Sequence, residues 1–435
     1  MSYKTYENYK DSGIEWIGNI PQDWSVIKLK YLLDVISGGC WGEEDADDSG
    51  TLVLRSTEIT LDGKWNISEP AKRKLKNEEV SKCLLKENDL LVTKSSGSEK
   101  HIGKTAIVTK DVESLNCCFS NFMTRLHTNK LFNPKLLYYL LNSVIVKSQF
   151  NYMSNSTVGL SNLNDESFKR LLLPFSDMKF QNIIVDFLDK KTSVIDDNIT
   201  KNEDLISLLE EKKVALINQV VTKGLDQNVH MKDSGIEWVG EIPEHWELKR
   251  LKNVSDVIMG QSPSSEDINY DGDGICFMQG NAEFGFKYPE PTSFCTNPKK
   301  ISRKGDILMS VRAPVGALNI SDKRYCIGRG LCSIKSVGIL SSYLWYFLIY
   351  SKSYLDFFSN GSTFDAITVD TLLNLPICLP PSSEQEQIVN YLDKEIPKID
   401  EIISKIWENI DLLNEYKASL IYHVVTGKID VRDEV

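Results

Sequence analysis

The stretch from Asp393 to Val425, DKEIPKIDEIISKIWENIDLLNEYKASLIYHVV, carries apolar residues at Ile396, Ile399, Ile403, Ile406, Ile410, Leu413, Leu420 and Val424. The steps alternate three and four, with Lys417 as the one polar interruption. That spacing predicts a long helix whose single apolar stripe is buried against another helix. The same pattern occurs 204 residues earlier, at Thr192, Ile195, Ile199, Asn202, Ile206, Leu209, Lys213, Leu216 and Val220, with even the lysine in register. Two matching helices in one chain are most simply partners for each other; the alternative is that each packs on its own domain. Shorter helical pieces are expected just before them, at Gln181–Leu188 and Glu384–Leu392, with a kink or restart at Pro397.

The repeat extends beyond the helices. DSGIEWIGNIPQDW, from Asp11 to Trp24, returns from Asp233 to Trp246 as DSGIEWVGEIPEHW, and 16 of 28 positions match between 11–38 and 233–260. Glycines, a proline and two tryptophans in so short a span predict an aromatic-wedged loop, neither helix nor strand. It reads either as a docking knob, with Trp16, Trp24, Trp238 and Trp246 as candidate contacts, or as a structural clasp.

Each copy is followed by a variable region with short strand-like runs at 52–54, 89–93, 106–108 and 306–311. A short helix at Pro134–Val146 is matched by Ser341–Tyr354. The fold class is α+β: two globular domains separated by two long antiparallel helices, in a circular, pseudo-twofold repeat. The boundaries fall at 1–174, 175–227, 228–380 and 381–435.

The chain of 435 residues carries a net charge of −11. The acidity lies on the helices and junctions, whereas residues 28–172 hold 20 basic against 18 acidic residues and 249–379 hold 14 against 12. Overall charge therefore neither excludes nor argues for DNA binding. No apolar run is long enough for a membrane span. The first residues, MSYKTYENYKDSG, lack an apolar signal core, so a cytoplasmic location and no membrane partner are expected. Nine cysteines and five histidines show no zinc-ligand spacing.

Catalytic motifs are missing. Gly97 to Thr105, GSEKHIGKT, resembles a phosphate-binding loop but has five residues between its glycines instead of four. No dinucleotide, methyltransferase, protease or nuclease pattern stands elsewhere, which favours a binding protein. Candidates for DNA contact are Arg55, Lys72, Arg73, Lys74, Lys94, Lys100 and Lys104 in the first variable region. In the second they are Gln279, Asn281, Lys299, Lys300, Arg312 and Arg329. Arg, Gln and Asn are the side chains that read base edges, and Arg55 aligns with Gln279.

The repeated SGIEWIGxIPxxW entry, the GDIL strand with VRAPVGALNI and CIGRG, and the EQxxIxxYLD…KID…VVTGK helix together resemble the DNA-specificity subunit of type I restriction–modification systems. The likeness covers essentially the whole chain. It implies that each variable region reads one half of a split double-stranded target and that the helices set the unread gap. It also implies that two methyltransferase subunits dock on the repeated regions, joined by restriction (translocase and endonuclease) subunits. Catalysis, S-adenosylmethionine, ATP and Mg would then belong to those partners, with no cofactor or metal in this chain. Other readings are a two-headed protein-binding scaffold and a self-contained restriction enzyme.

Overall fold

The computed structural model describes residues 3–45, 49–96, 101–154, 163–359 and 366–434. It divides into two units: residues 1–202 with 408–435, and residues 203–407. The long helices run over Met178–Lys223 and Ser382–Val425, so each contributes a segment to both units. Every seam position from Thr192 to Val220 and from Ile396 to Val424 is buried or half-buried.

The separate short helices expected before the seams do not exist. Each belongs to the long helix, and Pro397 lies inside it. Pro397 is exposed between buried Ile396 and Ile399, so its missing amide and the carbonyl it frees face water while the apolar stripe stays intact.

The seam lysines explain themselves. In the first unit Lys417 Nζ lies 2.6 Å from Asp196 Oδ1; in the second Lys213 Nζ lies 2.5 Å from Asp400 Oδ1. The lysine of each helix reaches the aspartate of the other, the reciprocal contact expected of a twofold repeat.

In the first unit one antiparallel sheet has the order Leu33–Gly38, Met123–Thr128, Leu90–Thr93, Thr105–Ile107. A second runs Cys118–Phe119, Thr51–Leu54, Ala71–Lys74, Glu43–Glu44, with the first pair parallel. The second unit repeats both. Its antiparallel sheet is Ser255–Met259, Leu331–Ser336, Ile307–Ser310, Leu318–Ile320. Its mixed sheet centres on Ile275–Met278 paired in parallel with Tyr325–Ile327.

Each unit fastens its long helix in the same way. Buried Gln181 donates to the carbonyl of Ser176 at 2.8 Å and accepts from the Asn133 amide, while Gln385 does the same with Pro380 and Leu340. Tyr139 donates to Asp189 and Tyr346 to Asp393, both at 2.7 Å. The apolar core of each unit packs its own domain against its own helix segments.

The SGIEW repeat is a β-hairpin, which corrects the expectation of a strandless loop. Tyr9–Asp11 pairs with Asn19–Pro21, and Met231–Asp233 with Glu241–Pro243. Gly13 and Gly18 sit at φ of +71° and +66°, and Gly235 and Gly240 at +70° and +69°. These left-handed corners fold the strands back on each other.

Candidate nucleic-acid interface

The two mixed sheets end in one backbone framework, written with different side chains. In the first unit Cys40 N donates to Phe119 O, Ser120 N to Leu54 O, Met123 N to Ser120 O and Lys94 N to Phe122 O. In the second, Gln261 N donates to Ile327 O, Gly328 N to Met278 O, Leu331 N to Gly328 O and Val311 N to Gly330 O. The match superposes Arg55 on Gln279, Asn121 on Arg329, Ser95 on Arg312 and Cys40 on Gln261. Both frameworks require a glycine. A Cβ on Gly39 would lie 2.3 Å from the carbonyls of Phe119 and Ser120, and one on Gly260 would lie 2.1 Å from that of Gly328.

In the second unit four of the six sequence candidates gather near this edge. Gln279 and Arg329 are exposed and are linked through Ser262. The Ser262 hydroxyl donates to Gln279 Oε1 at 3.0 Å and accepts from the Arg329 amide at 3.4 Å. Exposed Arg312 follows Val311, which is bonded to Gly330. Asn281, half-buried, opens the turn after Gln279. Exposed Lys299 and Lys300 lie beside Ile327, whose amide donates to the Lys300 carbonyl. Sequence reasoning missed Gln261 and Ser262; the available signal was the glycine before them and the Gly328-Arg329-Gly330 turn they face.

The first unit uses its candidates differently. Arg55 Nε and Nη2 lie 2.9 and 2.6 Å from Oε1 of buried Glu58, and Nη2 also donates to the Glu69 carbonyl. Only Nη1 is left for a ligand, too little for a two-atom grip on a guanine edge. Lys104 is a correction to the list of DNA contacts. It is buried, and its ammonium donates to the carbonyls of Ser56 and Ile59 at 2.9 and 2.7 Å. Burial lowers its pKa, partly countered by Glu58.

Lys72, Arg73 and Lys74 form the strand beside Thr51–Leu54, with Lys72 and Lys74 exposed. The Arg73 guanidinium lies 4.4 Å over the Trp41 ring. Lys94 is half-buried next to the edge, beside Phe122, which is 54% exposed. Neither Asn121 nor Phe122 was a sequence candidate. Lys100, with Gly97 to Glu99 of the phosphate-loop look-alike, lies outside the described residues.

The four tryptophans divide into two kinds. Trp24 and Trp246 are 5% and 0% exposed, which removes them as docking contacts. They close over the glycines just past the helix C-termini: a Cβ on Gly427 would lie 3.3 Å from Trp24, and one on Gly224 would lie 3.2 Å from Trp246. Trp246 Nε1 also donates to Glu384 at 2.9 Å. Trp16 and Trp238 are half-buried on the hairpins. Trp238 stacks on Tyr354 with ring centroids 4.5 Å apart, and Tyr354 lines an open cleft of about 880 Å³ with Ile236, Lys249, Arg250 and Asn374. Among the described residues, no group of His, Cys, Asp and Glu is arranged to hold a metal ion. None of their helices is long and apolar enough to cross a membrane.

Comparison with known proteins agrees with this duplicated design. The type I restriction modification DNA specificity domain matches twice, over residues 21–208 and 243–411. The chain is 35% identical, over 99% of both chains, to a putative type I restriction enzyme MjaX specificity subunit from Methanocaldococcus jannaschii. It is 26% identical to the MjaVIII specificity subunit of the same organism, over 100% of this chain and 98% of that one. A solved structure from work on complex assembly and conformational transition of the type I R-M system shares the fold, with a TM-score of 0.73 at 24% identity, over 94% of this chain and 99% of the other. Two specificity domains, each closed by segments of the same two helices, thus belong to a member of the type I restriction–modification DNA-specificity subunit family.

Proposed function

We propose that each unit reads one half of a bipartite double-stranded DNA sequence, and that the paired helices fix the length of the unread gap. The observation that carries this is the shared edge: one backbone framework occurs twice, with Arg55, Asn121 and Ser95 in one copy and Gln279, Arg329 and Arg312 in the other. A duplicated frame with unlike side chains suits two unlike half-sites. The basic strand Lys72–Lys74 and the Lys299–Lys300 turn supply phosphate contacts, which position without specifying.

Two methyltransferase subunits dock at the hairpins through Trp16 and Trp238, the second beside the cleft lined by Tyr354. S-adenosylmethionine, ATP and Mg belong to those subunits and to the restriction subunits, and this chain performs no chemistry of its own. What supports this reading is membership of the DNA-specificity subunit family, whose matched domain spans both halves of the chain.

The test is selection of binding sites from random duplex DNA by the full chain with its methyltransferase subunits. A two-part site with a fixed gap is expected, and exchange of residues 249–379 for those of a relative should change one half alone. A contiguous site, or both halves changing together, would overturn the proposal.

A further inference from the structure

We propose that Gln279 and Arg329, set by Ser262, are the base-reading pair of the second unit, Gln279 for an adenine and Arg329 for a guanine one or two base pairs away. The assignment rests on the DNA-reading role proposed above and adds which residues read and what they read.

Gln279 is held in a defined orientation. The Ser262 hydroxyl occupies one lone pair of its Oε1, leaving the second lone pair and both Nε2 hydrogens. An adenine edge in the major groove presents one donor at N6 and one acceptor at N7, and a glutamine amide answers both. Gly328 makes room for this orientation. A Cβ there would lie 2.6 Å from Gln279 Oε1 and 2.9 Å from its Cα.

Arg329 is exposed and makes no ion pair among the described residues, so its fork of donors is free for guanine O6 and N7. In this it differs from Arg55, whose guanidinium is tied to Glu58. Arg329 sits between buried Gly328 and Gly330, whose missing side chains let the turn pack directly on Gln279 and Gly280 and leave Arg329 as the turn's exposed side chain.

The two readers stand on adjacent chain segments. Gly328 N donates to Met278 O, and Gly330 N donates to Gln279 O. Hydrogen-bonded segments lie about 4.8 Å apart, and base pairs stack about 3.4 Å apart. Adjacent segments therefore address base pairs one or two steps apart. Ser262 touches both readers from within the protein and is a positioning residue.

The experiment uses the full chain with its methyltransferase subunits, selecting sites from random duplex DNA. The half-site that changes on exchange of 249–379 should contain an adenine and a guanine within two positions of each other. Gln279→Ala should flatten the preference at that adenine alone by about ten-fold or more, and Arg329→Ala at that guanine alone. Ser262→Ala should weaken the adenine preference in part, and Ser262→Thr should restore it; a merely structural serine would lower affinity for every sequence. Hydrogen exchange of the second unit, unchanged in the Gln279 and Arg329 variants, would confirm folding. An unaltered site in both variants, or equal loss at all sequences, overturns the assignment while leaving the bipartite role standing. A wild-type chain that selects no sequence removes that role and the assignment with it.

Discussion

At the same point of one backbone framework, the first unit carries Arg55 and the second Gln279. Arg55 turns inward, its guanidinium bound to the buried carboxylate of Glu58, whereas Gln279 is exposed and held by one serine hydroxyl. The turns that follow, closed by the Ile59–Trp65 and Phe284–Pro289 bridges, differ in the same sense. In the first unit Lys64 ties the turn to the long helix through Asp196 at 3.0 Å, and Tyr138 donates to the Asp62 carbonyl. In the second unit the matching turn ends in Phe286, which is 94% exposed. The backbone is thus held constant by glycines and amides, while side chains at one edge are either spent on the domain or left for a ligand. Residues equivalent in alignment need not share a role.

If the framework is common, breaking it should cost both units alike. Gly39→Ala and Gly260→Ala each drive a Cβ into backbone carbonyls and should destabilise their own unit by about 3 kcal/mol. Hydrogen exchange resolved by unit, in urea, measures this, and tolerance of either substitution would break the equivalence.

The edge residues should then separate. Arg55→Ala leaves the Glu58 carboxylate short of its charged partner and should cost the first unit about 2 kcal/mol. Gln279→Ala should change stability by no more than about 0.5 kcal/mol. The opposite order would mean that Gln279 is the structural residue and Arg55 the free one.

The reciprocal helix pairs should behave as a matched set of smaller terms. Lys417→Ala and Lys213→Ala are each expected to cost about 1 kcal/mol or less, because both bridges are partly exposed. A loss confined to one of them would show that the seam is not equivalent in the two units.

The smallest effect belongs to the Lys64–Asp196 strap of the first unit. Lys64→Ala should cost about 0.5 kcal/mol there, and less at high salt. Burial alone would raise the Asp62 carboxyl, but the Thr60 hydroxyl, Lys64 and Lys417 outweigh it and hold its pKa below the ordinary value. A carboxyl so lowered stabilises the fold above its unfolded pKa of about 3.9, and that stabilisation is lost as pH falls through the lower folded value. The first unit should therefore show an acid-sensitive step that Asp62→Asn removes.

Much of this architecture was legible in the residues. Heptad spacing exposed both helices, and the 204-residue offset placed Lys213 and Lys417 in equivalent positions. It did not reveal Asp196 and Asp400 as their partners, because an ion pair between helices depends on register, which one helix cannot specify alone. Pro397 suggested a break because local propensity ignores which face is wet. Arg55 and Lys104 looked like DNA contacts because charge in a turn is usually solvated, and only the packed structure shows Glu58 and two carbonyls claiming them. Ser262 carried no signal of its own; its meaning comes from standing between Gln279 and Arg329.

Lys4 and the segment from Lys428 to Asp433, far apart in sequence, meet within the first unit. The amide of Asp430 donates to the carbonyl of Lys4, Lys4 Nζ lies 2.7 Å from Asp433, and Lys428 Nζ donates to the carbonyls of Ile17 and Asn19. In the second unit the corresponding passage from helix to hairpin, Gly224 to Met231, is unbroken chain. A peptide linker across the first and a cut in the second would keep each hairpin and helix segment in its own unit. Such a circular permutant alters none of the backbone hydrogen bonds that frame either edge, so the order of the two domains along the polypeptide is independent of the fold of each.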